Sequence, residues 1–528
     1  MKKPSKIILA IVLALCLMFG AALLIDYAVG EQKQKALLTE ASQTKAKGPF
    51  FSGDASGSLY FCIPTLLTTG KGTVIAGIDA RFGGTQDAPN NLDTAVSRSL
   101  DGGKTWSETA LVNHFQDYAD FDVAFIHSSK IDNSARRSAS FIDSALLEDA
   151  DTGRIFMLVD MFPSGTGALN SEKGSGYQEI GGKKYLKLRK KGSSKYEYTV
   201  RENQVIYDAQ GKPTEYSLNE RMEILHNGEA LTVRQKDIWY IFNLVIPHGT
   251  SQRVPMNIMY ASALFQPVKT SYLALVYSDD QGATWSSPRL LNDQVKEEGM
   301  AFLGVGPGRG LEVSGGQYAG RLLFPVYELE PETKQQRCRM IYSDDHGETW
   351  ALGGTPALPE SAGMMSESQV IELPDGSLML FARNDTDQIA SAVSKDGGST
   401  WSAGRLEEAL TTGGSSCQLS VIRYSGLVDG KLAVLLSSPA AQGRKHGVIR
   451  IGLIEGQAGS YTIAWKYHYD VTGEEDAFSY SCLTELPNGE IGLLYEQNGS
   501  PQPLNMVTYR TYSMETLLGR QPQGPLRT

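Results

Sequence analysis

An eight-residue pattern, S-x-D-x-G-x-T-W, occurs four times in the chain, at Ser99–Trp106, Ser278–Trp285, Ser343–Trp350 and Ser394–Trp401. Each copy follows an apolar strand, such as Leu273-Ala274-Leu275-Val276-Tyr277, and so reads as a hairpin turn. In such a turn Asp accepts from the turn's own amides, Gly takes a positive φ, and Trp folds back onto the sheet. Repeats of this kind predict four-stranded sheets in radial array. Asp280 and Asp345 are 65 residues apart and Asp345 and Asp396 are 51 apart, which fits one sheet per interval. The 179 residues from Asp101 to Asp280 leave room for a sheet without the pattern and for an insertion. The pattern itself braces turns and carries no functional weight.

The insertion, 165–265, is rich in lysine and tyrosine, with short strands separated by turn signals at Gly192-Ser193-Ser194, Gln210-Gly211-Lys212 and Asn227-Gly228. It is expected to be a small all-β satellite, and its basic run Lys183–Lys191 reads as a solvated face. The remaining divisions are 1–30 as a leader, 31–50 as a linker, 51–164 and 266–515 as the main domain, and 516–528 as a tail. In the leader, Lys2, Lys3 and Lys6 precede an uncharged apolar run from Ile7 to Ile25. As a helix that run would reach about 28 Å, so the chain is expected to be exported, through a cleaved signal peptide or an uncleaved membrane anchor. The net charge of −10 and the lack of a basic stripe exclude nucleic acid as an expected partner. Cys62, Cys338, Cys417 and Cys482 are scattered and the seven histidines do not cluster, so no disulfide framework, metal or cofactor is expected.

Five stretches carry residues able to do chemistry. Gly72–Gly77 reads as a buried strand leading to a glycine loop, 83–91, that exposes Asp87. Glu367 opens one strand of an apparent hairpin and Arg383 closes its partner, so both can point to one end of a sheet. Arg444 precedes the apolar strand Val448–Ile454, and Tyr480 precedes another that leads on to Glu496. Taken singly, each has a plain structural explanation: a solvated acid, surface arginines, a core tyrosine.

Taken together, these residues resemble a known pattern. From about Ser52 to Arg510 the chain is similar to the catalytic domain of bacterial exo-α-sialidases of glycoside hydrolase family 33, insertion-bearing type, whose repeats are called Asp-boxes. The resemblance implies an all-β, six-bladed β-propeller with a small inserted β domain, acting on sialylated glycans by a retaining mechanism. It also implies roles: Asp87 as acid/base, Glu367 and Tyr480 as the nucleophile pair, Arg383 and Arg444 as carboxylate ligands, Arg81 as a pocket arginine and Asp143 as a contact to the O4 side of the sugar. The chemistry is coherent. An arginine fork suits a carboxylate, and a neutral phenol attacks an anionic sugar better than an aspartate would.

One position departs from the pattern. The family has Tyr or Phe followed by Arg-Ile-Pro where this chain has Phe61-Cys62-Ile63-Pro64, so the first of three clamp arginines is Cys62. Three readings stand: an attenuated or inactive variant, a substitution, or compensation by Arg81. The expected function is an exo-α-sialidase. The alternatives are a sialoglycan-binding propeller without turnover and an intramolecular trans-sialidase giving an anhydro product.

Overall fold

The computed structural model describes residues 48–520 apart from 52–53, 59, 83, 119–134, 237, 242–243, 248–251, 331 and 498–506. The expected leader and its apolar run lie outside the described residues.

The fold is an all-β propeller built from up-and-down antiparallel units. The first unit runs Tyr60–Thr68, Val74–Arg81, Leu92–Ser99 and Ala110–Asn113. Next come Ser140–Asp149 and Arg154–Phe162, joined by Tyr272–Ser278 and Arg289–Leu290. Further units follow from Phe302, Ser368, Ser420 and Ser481. Inner strands are buried on both faces: every residue of Val74–Arg81 is buried. The outer strand Thr462–Asp470 alternates between half-buried and exposed positions along much of its length. This is why the inner strands read as continuous apolar runs and the outer ones hardly register.

The second unit corrects one expectation. Among the described residues, no propeller unit lacking an Asp-box lies between Asp101 and Asp280. Met161 pairs directly with Tyr272, so the chain leaves this sheet after its second strand and returns to it as the third. The excursion forms a sheet of its own, from Tyr177–Ile180 through Lys183–Lys190 to Phe265–Pro267. Leu188, Ile206, Ile224 and Phe265 share a core with Phe141, Val159, Met161 and Tyr272 of the propeller. In Lys183–Lys190 the leucines point inward, while the lysines are exposed or half-buried.

All four Asp-boxes lie between the third and fourth strands of their units, with one geometry. In the second, Asp280 Oδ1 accepts from Ser278 Oγ (2.8 Å) and the Thr284 amide (2.8 Å), and Oδ2 accepts from Thr284 Oγ1 (2.6 Å). The Gly282 amide donates to Ser278 Oγ at 2.8 Å, and Gly282 has φ 79°.

The ring closes where the first strand meets the last unit. The Leu66 amide donates to Cys482 Sγ at 3.2 Å and the Thr68 amide to Thr484 Oγ1 at 3.0 Å. Trp106 packs edge-on against Tyr509, with ring centroids 5.0 Å apart. The Pro307 carbonyl links three units, accepting from Gln369 Nε2 (3.2 Å) and Gln418 Nε2 (3.1 Å).

Candidate active site

In an antiparallel unit, the start of the first strand and the end of the second lie on the same edge. Glu367 and Tyr480 stand just before first strands; Cys62 and Asp143 lie near the starts of theirs. Arg81 ends a second strand, and Asp87, Arg383 and Arg444 occupy loops from second to third strands. The ring therefore gathers all eight on one edge, opposite the Asp-boxes. Backbone outliers on that edge include Ile63 (φ 59°), Asp143 (φ 58°) and Arg444 (φ 58°), conformations that non-glycine residues adopt at a cost.

On one side stands a hydrogen-bonded triad. Tyr480 Oη donates to Glu367 Oε1 at 2.6 Å, while Arg383 Nη1 donates to Glu367 Oε2 at 2.7 Å and to Tyr480 Oη at 2.9 Å. Hairpin pairing supports it, since the Arg383 amide donates to the Glu367 carbonyl at 2.9 Å. Arg444 lies over the Tyr480 ring, 5.3 Å from its centroid, and donates to Ser479 Oγ and the Ser416 carbonyl, both at 3.3 Å. Ser416 ties the two arginines together, because its Oγ accepts from Arg383 Nε at 3.0 Å. Burial, then the charge of Glu367, pushes the Tyr480 phenol well above its usual range, with Arg383 and Arg444 opposing. The phenol is therefore neutral at rest, with Glu367 Oε1 as its hydrogen-bond acceptor.

Across the pocket, Arg81 Nη1 meets Asp87 Oδ1 at 2.8 Å and the Thr85 carbonyl at 2.6 Å, and its Nη2 meets Asp79 Oδ2 at 3.1 Å. The Asp87 side chain is 74% exposed, at the mouth of the pocket. The Asp143 amide donates to Asp79 Oδ1 at 3.1 Å. Burial, opposed by Arg81, holds Asp79 at about 8.

Cys62 shares an apolar cluster with Ile142, Phe302, Cys417 and Tyr480, and the Cys417 thiol faces Arg444 and Arg383. Burial pushes the Cys62 thiol far up, so it is neutral rather than a thiolate. None of the four described cysteines is in a disulfide. Sequence reasoning gave no role to Glu496, whose Oε1 accepts the Ile63 amide at 2.6 Å and whose carboxyl feels both Arg81 and Arg444. It also missed Asp79 and Ser416. Nothing in their local sequence marks any of the three.

Comparison with known proteins places the chain in a family. The BNR repeat-like domain family matches residues 229–493, half of the chain. An anhydrosialidase of Macrobdella decora is 42% identical over 491 residues, covering 90% of this chain and 64% of its own length. Sialidase B of Streptococcus pneumoniae is 38% identical, covering 85% and 63%. The chain thus spans less than two thirds of these two curated relatives. The solved structure of an intramolecular trans-sialidase from Ruminococcus gnavus, in complex with oseltamivir carboxylate, superposes with a TM-score of 0.81 at 41% identity, covering 90% of this chain and 99% of that one. With that coverage and a pocket built on the same propeller, the chain belongs to the sialidase family of BNR-repeat proteins.

Proposed function

We propose that the protein is a retaining exo-α-sialidase that removes terminal sialic acid from sialylated glycans. The observation that carries this is the Tyr480–Glu367–Arg383 triad. Tyr480 Oη attacks the anomeric carbon as its proton passes to Glu367. The glycosidic bond breaks, and Asp87 supplies the proton that leaves with the aglycone. In the second step water gives a proton to Asp87 and attacks the same carbon, and the Tyr480 oxygen departs with the proton held on Glu367. Arg383 and Arg444 receive the substrate carboxylate by charge-assisted hydrogen bonds. Asp143 contacts the sugar, and Arg81 orients Asp87.

The test is covalent trapping with a fluorinated sialoside. Peptide mapping is expected to find the label on Tyr480, and a folded Tyr480→Phe protein is expected to take up none. Label elsewhere, or parental turnover by the Phe variant, removes the assignment. A second reading is favoured by the two relatives named an anhydrosialidase and an intramolecular trans-sialidase. It differs only in that a hydroxyl of the sugar itself replaces water, and product analysis separates the two. A propeller that binds sialoglycans without turnover gives no product at all with a fluorogenic sialoside.

The units described above are read as six blades, with 165–265 as an inserted β domain and 51–164 plus 266–515 as the catalytic domain. The basic, apolar stretch at 1–30 supports export, to the medium or to the cell surface. Among the described residues no helix is long and apolar enough to cross a membrane.

A further inference from the structure

Two carboxylate oxygens behind the pocket break the rule that buried polar atoms are paired. Asp143 Oδ1 and Asp160 Oδ2 are both sealed from solvent, and neither meets a hydrogen-bond donor among the described residues. The two residues sit on paired strands. Ile142 lies opposite Asp160, and Asp143 is the bulged residue beside it. Asp160 is wholly buried and Asp143 is 7% exposed. Two ionised carboxylates in so dry a place would each lack a donor and repel the other. One proton shared between these neighbouring carboxyls would satisfy both orphaned atoms.

The surroundings decide which residue holds it. Asp160 Oδ1 accepts the Val305 amide at 3.0 Å, and the Lys296 amine, which burial lowers to about 7 against the opposing pull of Asp160, acts on the same carboxyl. Lys296 is itself buried, donating to Thr270 Oγ1 (2.6 Å), Ser271 Oγ (3.0 Å) and the carbonyls of Ser271 and Ala301 (both 3.1 Å). Among the described residues, the charges that act most on Asp143 are other acids. It is faced by Asp79 from the first unit, by Glu367 from across the ring, by Asp87 from the pocket mouth and by Asp160. Tyr327, from the unit between, is the remaining titratable neighbour, with Arg383 beyond it. Burial and then Asp160 push the Asp143 carboxyl well above the ordinary range, which agrees with the geometry.

We propose that Asp160 is a positioning residue that keeps a proton on Asp143, so that the bulge presents a neutral carboxylic acid to an incoming anionic sugar. The proposal rests on the sialidase reading. The pocket already holds the carboxyl groups of Asp87, Glu367 and Glu496, and a further anion at Asp143 would oppose a carboxylate ligand. With its proton engaged by Asp160, Asp143 still offers its other oxygen as an acceptor for a sugar hydroxyl.

Asp160→Asn replaces the acceptor with an amide that donates to Asp143 Oδ1, so Asp143 ionises. Infrared difference spectra, each protein against its Asp143→Asn counterpart at pH 7, report the protonated carboxyl of residue 143 whether or not the protein turns over a sialoside. The band is expected in the parent and is expected to vanish in Asp160→Asn. On a fluorogenic sialoside, Asp160→Asn is expected to raise KM about tenfold, with kcat within roughly threefold. In the Asp143→Asn background the same change should move KM by less than about twofold, because the charge it unmasks is absent. A band that persists in Asp160→Asn, or an equal KM change in both backgrounds, overturns the proposal. So does absence of the band from the parent, which is decisive even if Asp160→Asn does not fold. A parent that shows the band but no turnover sinks the sialidase reading and leaves the shared proton standing.

Discussion

Cys62 and Glu496 form the least settled pair of residues in the pocket. Glu496 is a half-buried carboxyl that accepts the amide of Ile63, the residue next to the place where the family carries an arginine, and also bonds the Ser479 side chain. Burial raises its pKa, with that amide and the two arginines opposing. Arg81 is a poor stand-in for the missing guanidinium, because Asp79, Asp87 and Thr85 already take its donors. An arginine at position 62 would face Glu496 on one side and a substrate carboxylate on the other. Loss of one partner from a buried charged pair costs about 2–5 kcal/mol, equivalent to roughly 30- to several-thousand-fold. Cys62→Arg is therefore expected to raise kcat/KM for a sialoside by at least tenfold. An unchanged or lower value in a well-folded variant would remove the clamp argument for this chain.

At the scale of the element, the Asp-box turns divide stability from activity. Asp280 accepts three hydrogen bonds within its own turn, on the edge opposite the pocket. Asp280→Ala leaves those donors to water and is expected to cost about 1–3 kcal/mol in denaturant titration. The surviving native protein should keep its kcat/KM; a selective loss of turnover would show that the turn communicates with the site. These turns were legible in the sequence because every partner lies within eight residues. The Glu367–Arg383 contact was legible for the same reason, as two ends of one hairpin. Glu496 and Asp160 were not, because their partners arrive through ring closure and strand pairing that no local pattern encodes. The long interval before Asp280 was misread because an excursion placed inside a sheet looks, in sequence, like an excursion placed between two.

At the scale of the whole molecule, buried acids set the pH response. Asp117 Oδ2 accepts from the Ala139 amide (3.2 Å) and Ser164 Oγ (3.3 Å), while Oδ1 is sealed without a donor among the described residues. Burial, opposed chiefly by the Ala139 amide and Lys236, raises it from 3.8 to about 7. The folded protein thus holds a proton that the unfolded chain releases near pH 4. The resulting stabilisation is full below that pH and is lost as pH rises towards 7, at about 1.4 kcal/mol per unit. The proton shared by Asp143 and Asp160, raised in the same direction, steepens the slope. Asp117→Asn keeps an oxygen for the two donors and carries no charge, so its melting temperature is expected to fall less between pH 5 and pH 7 than the parent's. Equal slopes would place that proton elsewhere.

Ring closure also fixes when the protein can first act. Cys62, Arg81 and Asp87 come from near one end of the described chain, Tyr480 and Glu496 from near the other, and the Leu66 and Thr68 amides bond to the unit that carries Tyr480. While it is being made, the polypeptide can assemble most of its sheets and still hold no working pocket. Ribosome-stalled chains ending before Tyr480 are expected to show neither labelling by a fluorinated sialoside nor turnover, so the order of synthesis works as a safety catch. Any glycan met before the last unit docks passes untouched.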